Sequence, residues 1–321
     1  MTKIIKDIDT IVKELLEGNV TGLPTETVYG LGANALNENA VLKIYETKDR
    51  PKFNPIIVHV NEVSDFEKYS ENIPDEVFKL ADTFSPGPVT FILKKKNIIP
   101  DIVTAGNDTV GLRIPAHVLF REVLKGSGLP VAAPSANRAG KISPTSAEDV
   151  LSELGGRINY ILDGGKCEIG IESTVISFID EVPKILRHGY VTKDDIEKVI
   201  GKTGEPETEQ FISPGQMKIH YAPSTPLYFI EDIKEIENFY GKSIGVLDLS
   251  VYKDLKETAL NLFSELRKLD RMNYDLIVTG KVLNEGVGIA INDRLERAGS
   301  GKLKDILGKL SGEKMYSDRI I

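Results

Sequence analysis

The chain has 321 residues, a length that suits two domains and a sizeable core. Hydrophobic residues make up 41% and charged residues 27%, which excludes a disordered chain. With 40 Lys plus Arg against 48 Asp plus Glu, the net charge of −8 disfavours stable binding to bulk DNA or RNA, although not a local basic pocket.

The first segment, MTKIIKDIDTIVKELLEG, carries Asp7, Asp9 and Glu14 where a secretory leader would need an apolar core. It reads as an amphipathic helix over 5–17, closed by Gly18. Next comes LPTETVYGLG, where two threonine hydroxyls flank an acid and glycines let backbone approach a ligand; a tight loop entering a helix accounts for it equally well. A helix over 39–47 leads into Lys48-Asp49-Arg50-Pro51. On an extended stretch Lys48 and Arg50 point to one side, an arrangement suited to a polyphosphate, while charges at a helix end also simply favour the dipole and solvent.

Apolar strands follow over 56–60, 89–93 and 110–114, separated by a helix over 75–83. Arg113 lies inside the third and requires an anionic partner, either an internal carboxylate or a ligand. After a helix over 116–125, a strand over 131–133 ends at Pro134, with Ser135 and Asn137 beyond it. Ligands in open sheets sit past strand carboxyl ends, so these polar residues read as functional more than as a turn. A helix over 145–154, strands over 160–162 and 173–178, and a helix over 193–200 capped by Thr192 complete this part. The pattern is α/β or α+β. Lys48, Arg50, Arg113 and Arg187, together with hydroxyls at Thr109, Ser173 and Thr174, point to anion handling at element ends.

The texture changes over 201–226, where a polar stretch gives way to FISPGQMKIHYAP with no periodicity, a connection long enough to be functional. From 227 the order is simple: strand 227–230, helix 233–240, strand 244–247, helix 257–269, strand 276–279 and helix 288–298. Strands alternating with helices predict a small parallel-sheet domain. Two glycine patterns are set aside. Gly241-Lys242-Ser243 lacks the P-loop's earlier glycine, since Ile236 stands there, and it precedes a strand. Gly30-Leu31-Gly32-Ala33-Asn34-Ala35 lacks both a clear preceding strand and an acid closing a second strand, which excludes a dinucleotide site. A single cysteine, Cys167, excludes an intrachain disulfide and a cysteine zinc cage, and the four histidines show no ligand spacing. Apolar runs fall far short of the ~18 residues of a membrane span, so a cytoplasmic location is expected.

Taken in order, PTETVYGLG, the K-x-R at Lys48 and Arg50, NPIIVH, TVGLRIP, APSAN and ESTV resemble the YrdC-type threonylcarbamoyl-AMP synthases. SPGQMKIHYAP and the domain after it resemble the longer, two-domain version. The resemblance implies a twisted mixed-sheet YrdC-like domain with a central cavity over 1–204, a linker over 205–226 acting as an active-site lid, and a smaller Rossmann-like parallel α/β domain over 227–321. The implied reaction condenses L-threonine, bicarbonate and ATP, with Mg²⁺, into threonylcarbamoyl-AMP and pyrophosphate. The product is passed to a tRNA threonylcarbamoyl transferase that modifies adenosine 37 of tRNAs reading ANN codons.

By the same resemblance, Lys48 and Arg50 carry the catalysis and hold ATP with Asn54, Thr109, Ser135, Asn137, Ser143, Arg187 and Tyr221. Thr27, His59, Arg113, Ala133 and Ser173 form the threonine pocket. Asp49 departs from the small residue that would least disturb the K-x-R clamp, and Gln216 leaves the lid's register open. Two other readings compete with this one. A carbamoyl-transfer module of hydrogenase maturation would carry zinc fingers, which one cysteine excludes. An RNA-binding module conflicts with the net charge and the absence of Trp.

Overall fold

The structure is a computed structural model and describes residues 1–51, 53–205, 220–238, 242–303 and 305. The first half of the larger domain comprises β1 (Lys3–Ile5), α1 (Ile8–Leu16), β2 (Thr21–Leu23), β3 (Gly30–Asn34), α2 (Glu38–Lys48), β4 (Val58–His59), α3 (Phe66–Tyr69), β5 (Ser70–Glu71) and α4 (Asp75–Phe84). There follow β6 (Val89–Lys95), α5 (Asp101–Thr104), β7 (Thr109–Arg113), α6 (Val118–Ser127), β8 (Val131–Ala132), α7 (Ala147–Leu154), β9 (Tyr160–Leu162), β10 (Thr174–Ser177), β11 (Lys184–Arg187) and α8 (Lys193–Ile200). The smaller domain holds β12 (Leu227–Phe229), β13 (Ile244–Leu247), α9 (Leu255–Arg271), β14 (Leu276–Thr279) and α10 (Val287–Ala298). Side chains of Asp7, Asn37, Ser146, Thr192 and Asp254 accept the early amides of α1, α2, α7, α8 and α9, which fixes where these helices begin.

The larger domain is built on one mixed sheet in the order β1-β9-β2-β3-β8-β4-β7-β6-β10-β11, with β5 paired to β6. At its centre His59 lies between Arg113 of the parallel β7 and Val131 of the antiparallel β8. The smaller domain is a separate parallel sheet in the order β12-β14-β13. This is the mixed α/β fold with a small parallel C-terminal sheet that the sequence predicts.

Several elements differ from expectation. The helix over 5–17 starts only at Ile8, because Lys3–Ile5 pairs in parallel with Tyr160–Leu162. The GLGAN stretch is a sheet strand and not a loop entering a helix. Its glycines are needed there: a Cβ on Gly32 would lie 2.4 Å from the Leu23 side chain and 3.0 Å from Val131. The strand over 56–60 shortens to two residues, and β2, β5 and β11 have no counterpart among the strands expected from the sequence. In place of a helix over 233–240 there is a 3₁₀ turn, Ile233–Asn238, and the last two positions lie outside the described residues.

Two apolar cores fill the larger domain, one around Tyr29, Ile44, Phe91 and Leu112, the other around Ile11, Leu23, Phe120 and Leu162. A third runs across the domain boundary. Val28, Ile142, Ile171 and Tyr221 pack with Leu262, Phe263, Ile291 and Leu295. Polar ties reinforce it: buried Arg267 donates to Glu153 at 3.0 Å and to the Ile142 carbonyl, and Arg271 donates to Asp149 at 3.0 Å. Gly170, at φ +83°, fits against α9 so closely that a Cβ would lie 2.5 Å from the Leu260 carbonyl oxygen. Among the described residues no helix is long and apolar enough to cross a membrane.

Candidate active site

Central strands and the loops beyond them line a cleft. Eight of the predicted residues line it: Thr27, Arg50, His59, Arg113, Ala133, Ser135, Arg187 and Tyr221. Thr25, Glu172 and His220 also line it; each lies within a motif described above, PTETVYGLG, ESTV or SPGQMKIHYAP, but none is among the residues assigned a site role there.

One end is organised by Arg113 at the close of β7. Its Nη2 donates to Glu26 Oε1 at 2.6 Å and to Thr27 Oγ1 at 3.0 Å, and its Nε to the Gly87 carbonyl at 3.3 Å. The internal carboxylate is therefore Glu26, whose other oxygen accepts from the Ala116 amide at 3.0 Å. These bonds fix the guanidinium and leave Nη1 for a ligand. Thr27 is set by Thr25, whose hydroxyl lies 2.8 Å from its own and accepts its amide at 3.1 Å. Burial, and then the neighbouring Arg113, pushes His59 down to about 3, so its ring is neutral, and its Nδ1 is buried without a protein partner. Ala133 is held by its amide to the Ile57 carbonyl at 3.0 Å, which presents its backbone to the cleft.

At the other end lies the K-x-R. Lys48 is the last residue of α2, not part of an extended stretch, and Asp49 follows in the left-handed region at φ 53°. This turn, and not strand alternation, sets the two cations. It also carries the Asp49 carboxylate away to Arg157, 3.0 Å off, so the departure from the family pattern does not intrude on the clamp. Lys48 does not itself line the cleft. Its ammonium donates to the carbonyls of Ser135 and Asn137, and burial followed by Arg50 pulls it well below its ordinary value. Arg50 donates to the Pro55 carbonyl at 2.9 Å and to that of Asn54 at 3.4 Å; burial lowers it to about 10, still charged.

The remaining predicted residues stand behind this wall. The Asn137 amide donates to the carbonyls of Arg138 and Lys141 at 2.8 and 2.7 Å. Pairing of Val58 with Leu112 brings the start of β7, where Thr109 stands, level with the peptides that hold Arg50. Asn54 Nδ2, Thr109 Oγ1 and Asn137 Oδ1 are each buried without a protein partner. Buried polar atoms are rarely left so, and three on this flank fit a polar ligand.

The third wall joins both domains. Arg187 donates through Nε to the Ser173 carbonyl and through Nη2 to its hydroxyl, each at 3.0 Å, and Ser173 also meets Thr90 at 2.8 Å. Ser143 donates to Glu172 at 2.6 Å, and Glu172 pairs with Arg294 of α10 at 3.2 Å. Tyr221, left-handed at φ 64°, is 1% exposed and stacks on Phe263 of α9 with centroids 5.3 Å apart. His220 meets the Tyr221 ring edge-on at 4.0 Å, and the Ala222 amide donates to the Gly140 carbonyl at 2.8 Å. Residues 206–219, most of the expected lid, lie outside the described residues. Three arginines, with Lys48 behind them, thus face a cleft edged by hydroxyls, a surface for anions.

Comparison with known proteins agrees. Residues 13–189 match a family model described as "Telomere recombination", and residues 191–300 one described as "Threonylcarbamoyl-AMP synthase, C-terminal domain". The threonylcarbamoyl-AMP synthase of Bacillus subtilis is 42% identical over 317 residues, covering 90% of this chain and 92% of its own length. That of Pyrococcus abyssi is 40% identical over 309 residues, covering 88% and 91%. The crystal structure of P. abyssi Sua5 complexed with L-threonine superposes with a TM-score of 0.87 at 37% identity, covering 93% of this chain and 97% of that one. On both halves of its length, and in the fold that joins them, this chain belongs to the threonylcarbamoyl-AMP synthase family in its two-domain form.

Proposed function

We propose that the chain condenses L-threonine, bicarbonate and ATP into L-threonylcarbamoyladenylate and pyrophosphate. The observation that carries this reading is the cleft itself, with a fixed Arg113 at one end and the Lys48–Arg50 pair at the other. Two anions must meet there. The amine of threonine adds to bicarbonate-derived CO₂ to give a carbamate, whose oxygen then attacks the α-phosphorus. A P–O bond forms to the carbamate, the bond to the β-phosphate breaks, and pyrophosphate leaves with that electron pair.

Arg113, with Thr27, His59, the Ala133 backbone and Ser173, receives threonine, its guanidinium facing the carboxylate. That P. abyssi Sua5 has been crystallised with L-threonine supports the choice of amino acid. Arg50 and Arg187 hold the phosphates, Lys48 supports them from behind through the loop after β8, and Ser135, Asn137, Ser143, Asn54, Thr109 and Tyr221 stand around the nucleotide. Their charge offsets the repulsion between the two anions and stabilises the charge developing on the leaving group. Holding carbamate and α-phosphate together adds the benefit of proximity. Mg²⁺ enters as part of the substrate MgATP. The ion would ride on the phosphates and water.

We read residues 1–204 as the catalytic domain, 205–226 as a linker that covers the site, and 227–321 as its support. Exclusion of water by Tyr221 and its neighbours would protect the carbamate and the mixed anhydride. The labile product passes, in the cytoplasm, to a transferase that modifies adenosine 37 of tRNAs reading ANN codons.

The test is pyrophosphate release from ATP by the purified chain with Mg²⁺, omitting threonine or bicarbonate in turn. Pyrophosphate and threonylcarbamoyladenylate should form only when both are present. A folded, ATP-binding chain with no turnover in the complete mixture would overturn the reading.

A further inference from the structure

Glu172 is out of place in a cleft built for anions. It lines the cavity, is 6% exposed, and an uncompensated carboxylate there would repel the phosphates that Arg187 and Arg50 are set to hold. Its compensation comes from the other domain. Arg294, with no exposed surface, leaves α10 and donates through Nε to Glu172 Oε2 at 3.2 Å. Its Nη1 donates to the His188 carbonyl at 2.6 Å and lies 3.2 Å from Asp293, and its guanidinium stands 5.9 Å from the Tyr221 ring. The second carboxylate oxygen accepts from Ser143 at 2.6 Å. The pair therefore closes a buried seam between the domains beside the nucleotide side of the cleft.

We propose that Arg294 is a positioning residue for nucleotide binding: supplied by the C-terminal domain, it neutralises Glu172 so that the arginines of the cleft act on the ligand. This rests on the reading of the cleft as an ATP site. It also gives the C-terminal domain a part in the chemistry beyond covering the site. The groups facing Glu172 are Arg294 of α10, which also pairs with its neighbour Asp293, Arg187 of β11, Ser143 before α7, and His220 with Tyr221. Burial alone would raise Glu172, yet Arg294 first, and then Arg187 and the Ser143 hydroxyl, hold it below its ordinary value. Without Arg294, burial would gain weight and the carboxylate would take up a proton at higher pH than before.

The experiment is equilibrium binding of MgATP to the full chain by calorimetry between pH 6 and 9. It compares the unsubstituted chain, Arg294→Met, Arg294→Lys, and Arg294→Met combined with Glu172→Gln. Arg294→Met should weaken binding about tenfold at pH 8, with a loss that shrinks as pH falls and Glu172 is neutralised by protonation. Arg294→Lys should lose less. The double variant should recover most of the loss and show no such pH dependence, which a merely structural role for Arg294 would not produce. Unchanged binding in folded Arg294→Met, or a double variant as weak as the single one at every pH, overturns the proposal. Where Arg294→Met fails to fold, the double variant decides: binding within about threefold of the unsubstituted chain supports the proposal and a tenfold loss overturns it. Because binding and not product is read, a chain that binds MgATP without making adenylate overturns the proposed function while this test still runs; one that binds no MgATP overturns both.

Discussion

The ammonium of Lys48 donates to the main-chain carbonyl of Ser135, 87 residues further along the chain. A buried cation at the end of α2 thereby holds the loop after β8 from below, and shares itself with Asn137. The K-x-R and the S-x-N, read as two separate motifs in the sequence, are one structural unit.

Replacing Lys48 by Met keeps the length and removes the donors. Two buried carbonyls lose a partner, at about 1–3 kcal/mol each, so the melting temperature should fall. Adenylate formation should fall by about 10² or more, because the charge and the loop position go together. Steady-state rates beside a melting curve check this, and an active variant of ordinary stability would remove Lys48 from the site.

Arg113→Lys preserves charge but not the fork that spans Glu26, Thr27 and Gly87. The KM for threonine should rise about tenfold or more, while that for ATP changes little. A rise confined to ATP would place Arg113 on the wrong substrate.

Two buried histidines set an acid limit. His59 and His220 are each lowered to about 3, first by burial, so both are neutral in the folded chain. Unfolded, each titrates near 6.5 and takes up a proton as pH falls. Stability present above pH 6.5 should therefore be lost progressively below it, down toward 3, by about 1.4 kcal/mol per pH unit for each ring. Urea unfolding at pH 6 and pH 5 measures the slope. It should drop by about one proton in His220→Asn, and an unaltered slope would mean that His220 is charged when folded.

Gly170→Ala tests the seam between the domains. The residue sits at φ +83°, and its new methyl would meet the carbonyls of Leu260 and Ala259 at 2.5 and 2.6 Å. Strain and collision together should cost about 2 kcal/mol or more. Thermal melting and scattering profiles should report a less stable and less compact chain, whereas an unchanged melting temperature would show that α9 yields easily.

Much of this is legible in the amino-acid sequence. Strands around Phe91, Leu112 and Ile161 are apolar runs between turn residues, and caps such as Thr192 announce their helices. Arg113 was conspicuous because an arginine inside an apolar strand needs a partner, but nothing local named Glu26, which lies 87 residues away. The strand Gly30–Asn34 escaped because glycine weakens strand propensity, and its packing reason, the Leu23 side chain opposite Gly32, exists only in the folded sheet. Arg294 gave no signal at all. It stands among Asp293, Glu296 and Arg297 on an ordinary amphipathic helix, 122 residues from the carboxylate it meets.

The apolar cluster shared by the two domains has a consequence for how such a chain is inherited. Val28, Ile142 and Ile171 are buried here against Leu262, Phe263 and Ile291. A gene shortened to end after α8 would leave these three side chains facing water, in a patch that invites aggregation. Loss of the second domain would therefore have to be accompanied by polar replacements at positions 28, 142 and 171, and the two halves are bound to change together.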